Sequence, residues 1–101
     1  MDTFTKQPSE KQTRAIVYTR RFPAGATVVS SATVAAYDKN GTDVSGTILV
    51  STTCTVPSDG LSARFRVQVG TDGEDYKITV TATLDNTDII EDDVLMRVRA
   101  V

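Results

Sequence analysis

Cys54 is the only thiol in the chain, and there is no histidine. Without imidazole, acid–base work near neutral pH falls to carboxylates, Lys and Tyr, and the usual nitrogen ligand of zinc and haem is missing. A thiol nucleophile needs a neighbouring base or cation to lower its pKa. Cys54 stands between Thr53 and Thr55, so it reads as a small buried hydrophobe. A single Cys makes neither an intrachain disulfide nor a paired-cysteine metal site. Carboxylates gather twice, as Asp72, Glu74 and Asp75 and again as Asp85, Asp88, Glu91, Asp92 and Asp93. Oxygen-rich loops of this kind can hold Ca2+. The strand expected between the two groups spans roughly 30 Å, so they cannot form one site. The second group alone leaves two readings open, a Ca2+ loop or a solvated acidic edge that discourages aggregation. No phosphate-cradling glycine loop, dinucleotide fingerprint or zinc-protease helix motif is present. The residues therefore predict no cofactor and no catalytic constellation.

Charge adds direction. The net charge is −2, but it is unevenly spread. Residues 1–21 carry Lys6, Lys11, Arg14, Arg20 and Arg21 against Asp2 and Glu10. Residues 71–93 carry the eight acids named above against Lys77 alone. A nucleic-acid binder usually shows a basic stripe over much of the domain, and this chain is bipolar instead. The six aromatics, Phe4, Tyr18, Phe22, Tyr37, Phe65 and Tyr76, are too few to spare a face for stacking bases or sugars. No run approaches the roughly 20 apolar residues of a spanning helix. The opening MDTFTKQPSEKQTR lacks the apolar core of a secretory signal. Neither nucleic acid nor membrane is expected as a partner.

The elements behind these residues are strands. Thr and Val are the two commonest residue types, and β-branched side chains suit a pleated, half-buried surface. Residues 1–13 are polar, contain Pro8 and lack periodicity, which predicts an extended N-terminal arm. Residues 14–101 then form one domain. A first strand covers 14–21 and ends at the turn Phe22-Pro23-Ala24-Gly25. A second covers 27–37, with Val28, Ala32, Val34 and Ala36 sharing one parity. Asn40-Gly41 predicts a tight type I′ hairpin into a third strand over 43–50, with residues 51–56 either its continuation or a short separate strand. Pro57-Ser58-Asp59-Gly60 has the residues of a β-turn. Leu61, Ala63, Phe65, Val67 and Val69 alternate with Ser62, Arg64, Arg66 and Gln68, which predicts a half-buried antiparallel strand. Tyr76, Ile78, Val80, Ala82 and Leu84 repeat that rhythm. The last strand runs from Ile89 to Ala100, interrupted at Glu91-Asp92-Asp93. Six or seven short strands at this spacing predict an all-β, disulfide-free, immunoglobulin-like β-sandwich of antiparallel strands.

Tyr76 follows an Asp/Gly-rich turn and opens an alternating strand. In immunoglobulin-like sandwiches a Tyr so placed returns its hydroxyl to backbone just upstream, the tyrosine corner. An ordinary core Tyr is the plainer reading.

The segment Phe4-Thr5-Lys6-Gln7-Pro8, the strand Ile16-Val17-Tyr18, the turn Pro23-Ala24-Gly25 and the run Val29-Ser30-Ser31-Ala32-Thr33-Val34 resemble a family of small tailed-bacteriophage virion accessory proteins. Near their end those proteins carry a strand similar to Tyr76 to Ala82. The resemblance implies an immunoglobulin-like virion component: a head decoration, neck or tail protein, made in the host cytoplasm. It implies no enzyme activity, docking onto other virion proteins, and many copies as a homo-oligomer or other symmetric assembly. On this reading Phe4, Lys6, Pro8, Lys11, Arg14, Arg20 and Arg21 form a basic docking arm, and Asp88, Glu91, Asp92 and Asp93 an acidic contact segment. The alternative is an immunoglobulin-like adhesion module that recognises a host surface or glycan.

Overall fold

The computed structural model describes residues 2–18 and 25–100. Among these residues six strands lie in chain order: β1 (Asp2–Lys6), β2 (Gln12–Val17), β3 (Val29–Tyr37), β4 (Ser62–Val67), β5 (Asp75–Leu84) and β6 (Ile89–Val98), with one helical turn, α1 (Ser45–Ile48), between β3 and β4. They form a four-stranded sheet in the order β1-β6-β5-β3 and a two-stranded sheet of β2 and β4. The alternation read from the sequence explains why the sheets face each other. On β5, Tyr76, Ile78, Val80, Ala82 and Leu84 are buried while Lys77 is exposed. On β4, Ala63, Phe65 and Val67 are buried while Arg64 and Arg66 are exposed. Each sheet thus has one apolar face, and pressing the two together removes both from water. Val34, Ala36, Met96 and Val98 complete the core from the larger sheet and Ile16 and Tyr18 from the smaller side. The fold is an all-β sandwich without a disulfide.

Several expectations need correcting. Residues 2–6, expected within a separate arm, are extended but belong to the sheet: β1 pairs with β6 from Asp2 opposite Val94 to Lys6 opposite Val98. That pair is parallel, whereas all strands were expected to be antiparallel. The next strand begins at Gln12, not residue 14, and pairs antiparallel with β4. The expected turn at 22–25 falls largely outside the described residues.

The third strand expected over 43–50 does not form. The Ser45 hydroxyl accepts the buried Ala36 N–H at 2.9 Å, and Asp43 accepts the Ser45 N–H at 2.9 Å. Side-chain bonds of this kind offer the backbone an alternative to a ladder, and the chain turns into α1 instead. The hairpin before it is also not type I′, which needs positive φ at both central residues. Gly41 has φ 81°, but Asn40 is not among the positive-φ residues. The Gly41 N–H bonds the Asp38 carbonyl at 3.0 Å, closing an ordinary turn followed by a left-handed glycine. Residues 51–56 contribute only isolated bridges, Thr53 with Thr33 and Thr55 with Arg64. They tie the β3 edge to the β4 edge and close that side of the sandwich.

β6 runs unbroken through Glu91-Asp92-Asp93, because pairing with β5 from Thr83–Ile89 to Asp75–Arg97 holds its backbone whatever the side-chain charge. A bulge between Val29 and Ser31 shifts the parity of β3, so Val29 is buried where Val28 was expected to be. Val69 lies past the end of β4 with φ 43° and is 43 % exposed, leaving the inward set.

Candidate functional site

The groups with reactive chemistry are dispersed. Cys54 is buried, and burial pushes its thiol up to about 11. A thiol so placed is almost wholly protonated at neutral pH and is a poor nucleophile. Among the described residues no three His, Cys, Asp or Glu side chains are grouped to hold a metal ion. Among the described residues no helix is long and apolar enough to cross a membrane. A hollow of about 490 Å3 is lined by Tyr37, Asp38, Lys39, Gly41, Asp75, Lys77 and Leu95. Its groups are engaged with neighbours: Lys77 Nζ sits 5.5 Å from the Tyr37 ring centre, Arg99 bonds Asp75 at 2.8 Å, and Lys39 pairs with Glu74 at 3.3 Å. What remains as candidate function is the surface of the sandwich.

Tyr76 heads β5. Its ring lies in the core, and its hydroxyl accepts the Thr71 N–H at 3.0 Å. The turn it holds is closed by the Glu74 N–H on the Thr71 carbonyl at 3.0 Å and by the Gly73 N–H on the Val98 carbonyl at 2.9 Å. Asp72 extends the network by accepting the Ala100 N–H at 2.8 Å. The end of β6 and the start of β5 are thereby locked to one turn.

Among the described residues, the candidate arm residues do not form one exposed basic surface. Lys6 is 1 % exposed, and its ammonium donates to the Gln7 carbonyl at 2.7 Å and the Pro8 carbonyl at 3.2 Å. Burial pulls its pKa below the usual lysine range, while the Glu10 carboxylate pushes it back. Glu10 also accepts the Gln7 N–H at 2.6 Å, so Lys6 and Glu10 shape the turn between β1 and β2. Phe4 packs against the core under the Arg14 guanidinium, 4.4 Å from the ring centre, and Arg14 Nη2 donates to Gln12 Oε1 at 2.6 Å. Pro8 is half-buried and Lys11 exposed. Arg20 and Arg21 lie outside the described residues. Between β1 and β2 a crevice of about 170 Å3 opens onto Thr3, Phe4, Arg14, Ile16, Phe65 and Val94.

Strand alternation divides the acidic segment between two faces. Glu91 and Asp93 share the outward parity with exposed Ile89, whereas Asp92 is half-buried on the other parity. Asp93 accepts the Thr79 hydroxyl at 2.8 Å. Asp88 lies in the turn before β6, where its backbone N–H bonds Asn86 Oδ1 at 3.0 Å. Asp85, nearby, accepts the Thr27 N–H at 2.9 Å and its hydroxyl at 2.7 Å. Those bonds, the backbone one first, hold its carboxyl below the ordinary aspartate range.

One surface went unassigned in the sequence. The outer face of the two-stranded sheet carries Arg64 and Arg66, with Ala15 and Thr13 opposite them on β2. A groove of about 310 Å3 runs beside them, lined by Thr13, Val50, Ser51, Thr53, Thr55, Arg64, Phe65 and Arg66. The alternation of 61–69 pointed both arginines to solvent. What lay beside them depended on the β2–β4 register, which no local pattern encodes.

Residues 6–97 match the family model described as "Podophage GP4 fiber-tail adaptor protein gp77". No curated protein matches the chain.

Proposed function

The chain belongs to the podophage GP4 fiber-tail adaptor family, gp77, and on that premise we propose that it joins a tail fibre to the tail by docking onto both as a non-enzymatic scaffold. The family is one of structural adaptors, and the coarse role, a phage tail accessory protein, goes with membership. The match over residues 6–97 is the observation that carries the reading, because it takes in every strand but β1 almost entirely. The geometry suits the role. An adaptor must present rigid surfaces to two neighbours, and a close-packed sandwich held by long strand pairings supplies them. The Tyr76–Thr71 bond acts, on this reading, as a tyrosine corner of an immunoglobulin-like domain. The partners are other virion proteins, the chain is present in several copies in a symmetric assembly, and its place is the virion.

The test is genetic. Particles assembled without this chain should retain head and tail but lack fibres, and supplying the protein in trans should restore them, as counted by negative-stain electron microscopy. Fibres attached at normal frequency in its absence would overturn the reading. Particles that keep their fibres but fail to bind cells would instead favour a module that recognises the host surface or a glycan.

A further inference from the structure

The outer face of the two-stranded sheet and the Ile89–Asp93 end of the outer face of the larger sheet carry opposite charge at the same interval, while Lys77 and Arg97 lie at the other end of that larger face. On β4, Arg66 and Arg64 stand two residues apart, and the register continues to Ser62, which lies opposite Val17 of β2. Neither β2 nor β4 contains an acid. On β6, Asp93, Glu91 and Ile89 project from the outer face of the larger sheet at the same two-residue interval. Their neighbours on β5 are the small uncharged Thr79, Thr81 and Thr83, of which Thr79 donates its hydroxyl to Asp93 at 2.8 Å, and none of the three carries a charge that would neutralise them. Ile89 at 64 % and Val17 at 58 % are the two most exposed large apolar side chains among the described residues. Arg64, Arg66 and Glu91 make no ion pair among the described residues, whereas the charges at the far end of the larger sheet are engaged with one another, as Arg99 and Arg97 are with Asp75.

We propose that these faces meet between copies of the chain. The outer face of the four-stranded sheet of one copy docks on the outer face of the two-stranded sheet of the next, with Asp93 opposite Arg66, Glu91 opposite Arg64 and Ile89 opposite Val17. Alternate residues of a strand are about 7 Å apart, so a single register aligns all three contacts. The charged pairs steer the approach and fix the register, and the apolar pair anchors its end. Because the face used on one copy differs from the face used on its neighbour, the contact is head-to-tail and builds a ring or an open stack. The proposal rests on the adaptor reading only for the need for several copies.

The test uses the purified full chain in sedimentation equilibrium. At about 50 mM salt the mass should exceed that of a monomer, and raising the salt to about 500 mM should weaken association at least tenfold, since exposed charges are screened within a few ångströms there. R64E/R66E and E91R/D93R should each be monomeric at low salt with an unchanged far-ultraviolet dichroism spectrum. Mixed together, they should associate again, because each reversed face meets its complement on the other variant. Where a reversed variant loses its β spectrum, the neutral pairs R64Q/R66Q and E91Q/D93N read the same contact and should weaken it about tenfold or more. A wild-type monomer at about 1 mM in low salt, variants that associate like wild type, or folded variants that stay apart on mixing would each overturn the proposal. The assay contains no fibre or tail protein, so such a failure removes this contact and leaves the adaptor reading intact.

Discussion

Replacing Tyr76 by Phe removes one atom from the turn that joins β5 to the end of β6. The hydroxyl lies 3.0 Å from the Thr71 nitrogen, and the residue as a whole is 7 % exposed. The ring stays in the core, so no cavity opens. The loss is one hydrogen bond, with the Thr71 N–H left to find another acceptor. Thr71 is itself exposed, so water can take up that donor, and the cost belongs near the middle of the usual range, about 1 kcal/mol. In a domain of this size that lowers the melting temperature by roughly 4–8 °C. Tyr76→Ala also empties the space the ring fills between the sheets and should cost roughly 3–5 kcal/mol. Urea unfolding followed by far-ultraviolet circular dichroism measures both, and an unchanged slope for Tyr76→Phe shows that the surface exposed on unfolding is the same. Hydrogen exchange at the Thr71 amide should accelerate in Tyr76→Phe while amides in the middle of β5 change only by the global loss. A Tyr76→Phe midpoint equal to wild type, together with unchanged protection at Thr71, would refute the account of this turn.

Other outcomes follow from the same geometry. Gly60 has φ 67°, and a Cβ there would stand 2.6 Å from Val28 Cβ; Gly60→Ala should lose on the order of 1–3 kcal/mol in a thermal melt, since both strain and overlap oppose it. Asp85 has a folded pKa below its unfolded value, so its contribution to stability is complete above about pH 4–5 and disappears as pH falls through the folded pKa. Asp43 behaves alike, held down by hydrogen bonds from the Ser45 side chain and then its backbone N–H. In melts from pH 6 to pH 2, Asp85→Asn should therefore show a shallower loss of stability than wild type, and equal slopes would count against the Thr27 contact. Cys54 should resist a thiol reagent such as Ellman's at pH 8 in the native protein and react at once in urea; rapid native labelling would contradict its burial and raised pKa.

The strands with one buried face were readable because a period of two is a local signal: β4 and β5 carry their inward residues where alternation put them. The Pro57–Gly60 turn was equally plain, and the Gly60 N–H does bond the Pro57 carbonyl at 2.9 Å. Long-range pairing was not readable. β1 has no apolar rhythm of its own and becomes a strand because β6 offers an edge to it. Ser45 accepts the Ala36 N–H, nine residues away, where a strand over 43–50 was expected, a contact that composition cannot announce. The same limit applied to the surface. Lys6 was counted in a basic docking arm, yet the turn beyond it supplies two carbonyls that draw its ammonium inward. Glu91-Asp92-Asp93 looked like a break because three charges in a row suit a loop, but β5 supplies a partner at every position and the strand continues.

The central claim is that this sandwich is a structural joint between fibre and tail. Cryo-electron microscopy of the complete virion, reconstructed around the tail, tests it most directly. The account predicts density matching the two sheets at the point where each fibre leaves the tail, in several copies. Particles that lack the chain, or that carry it only on the head, would contradict it.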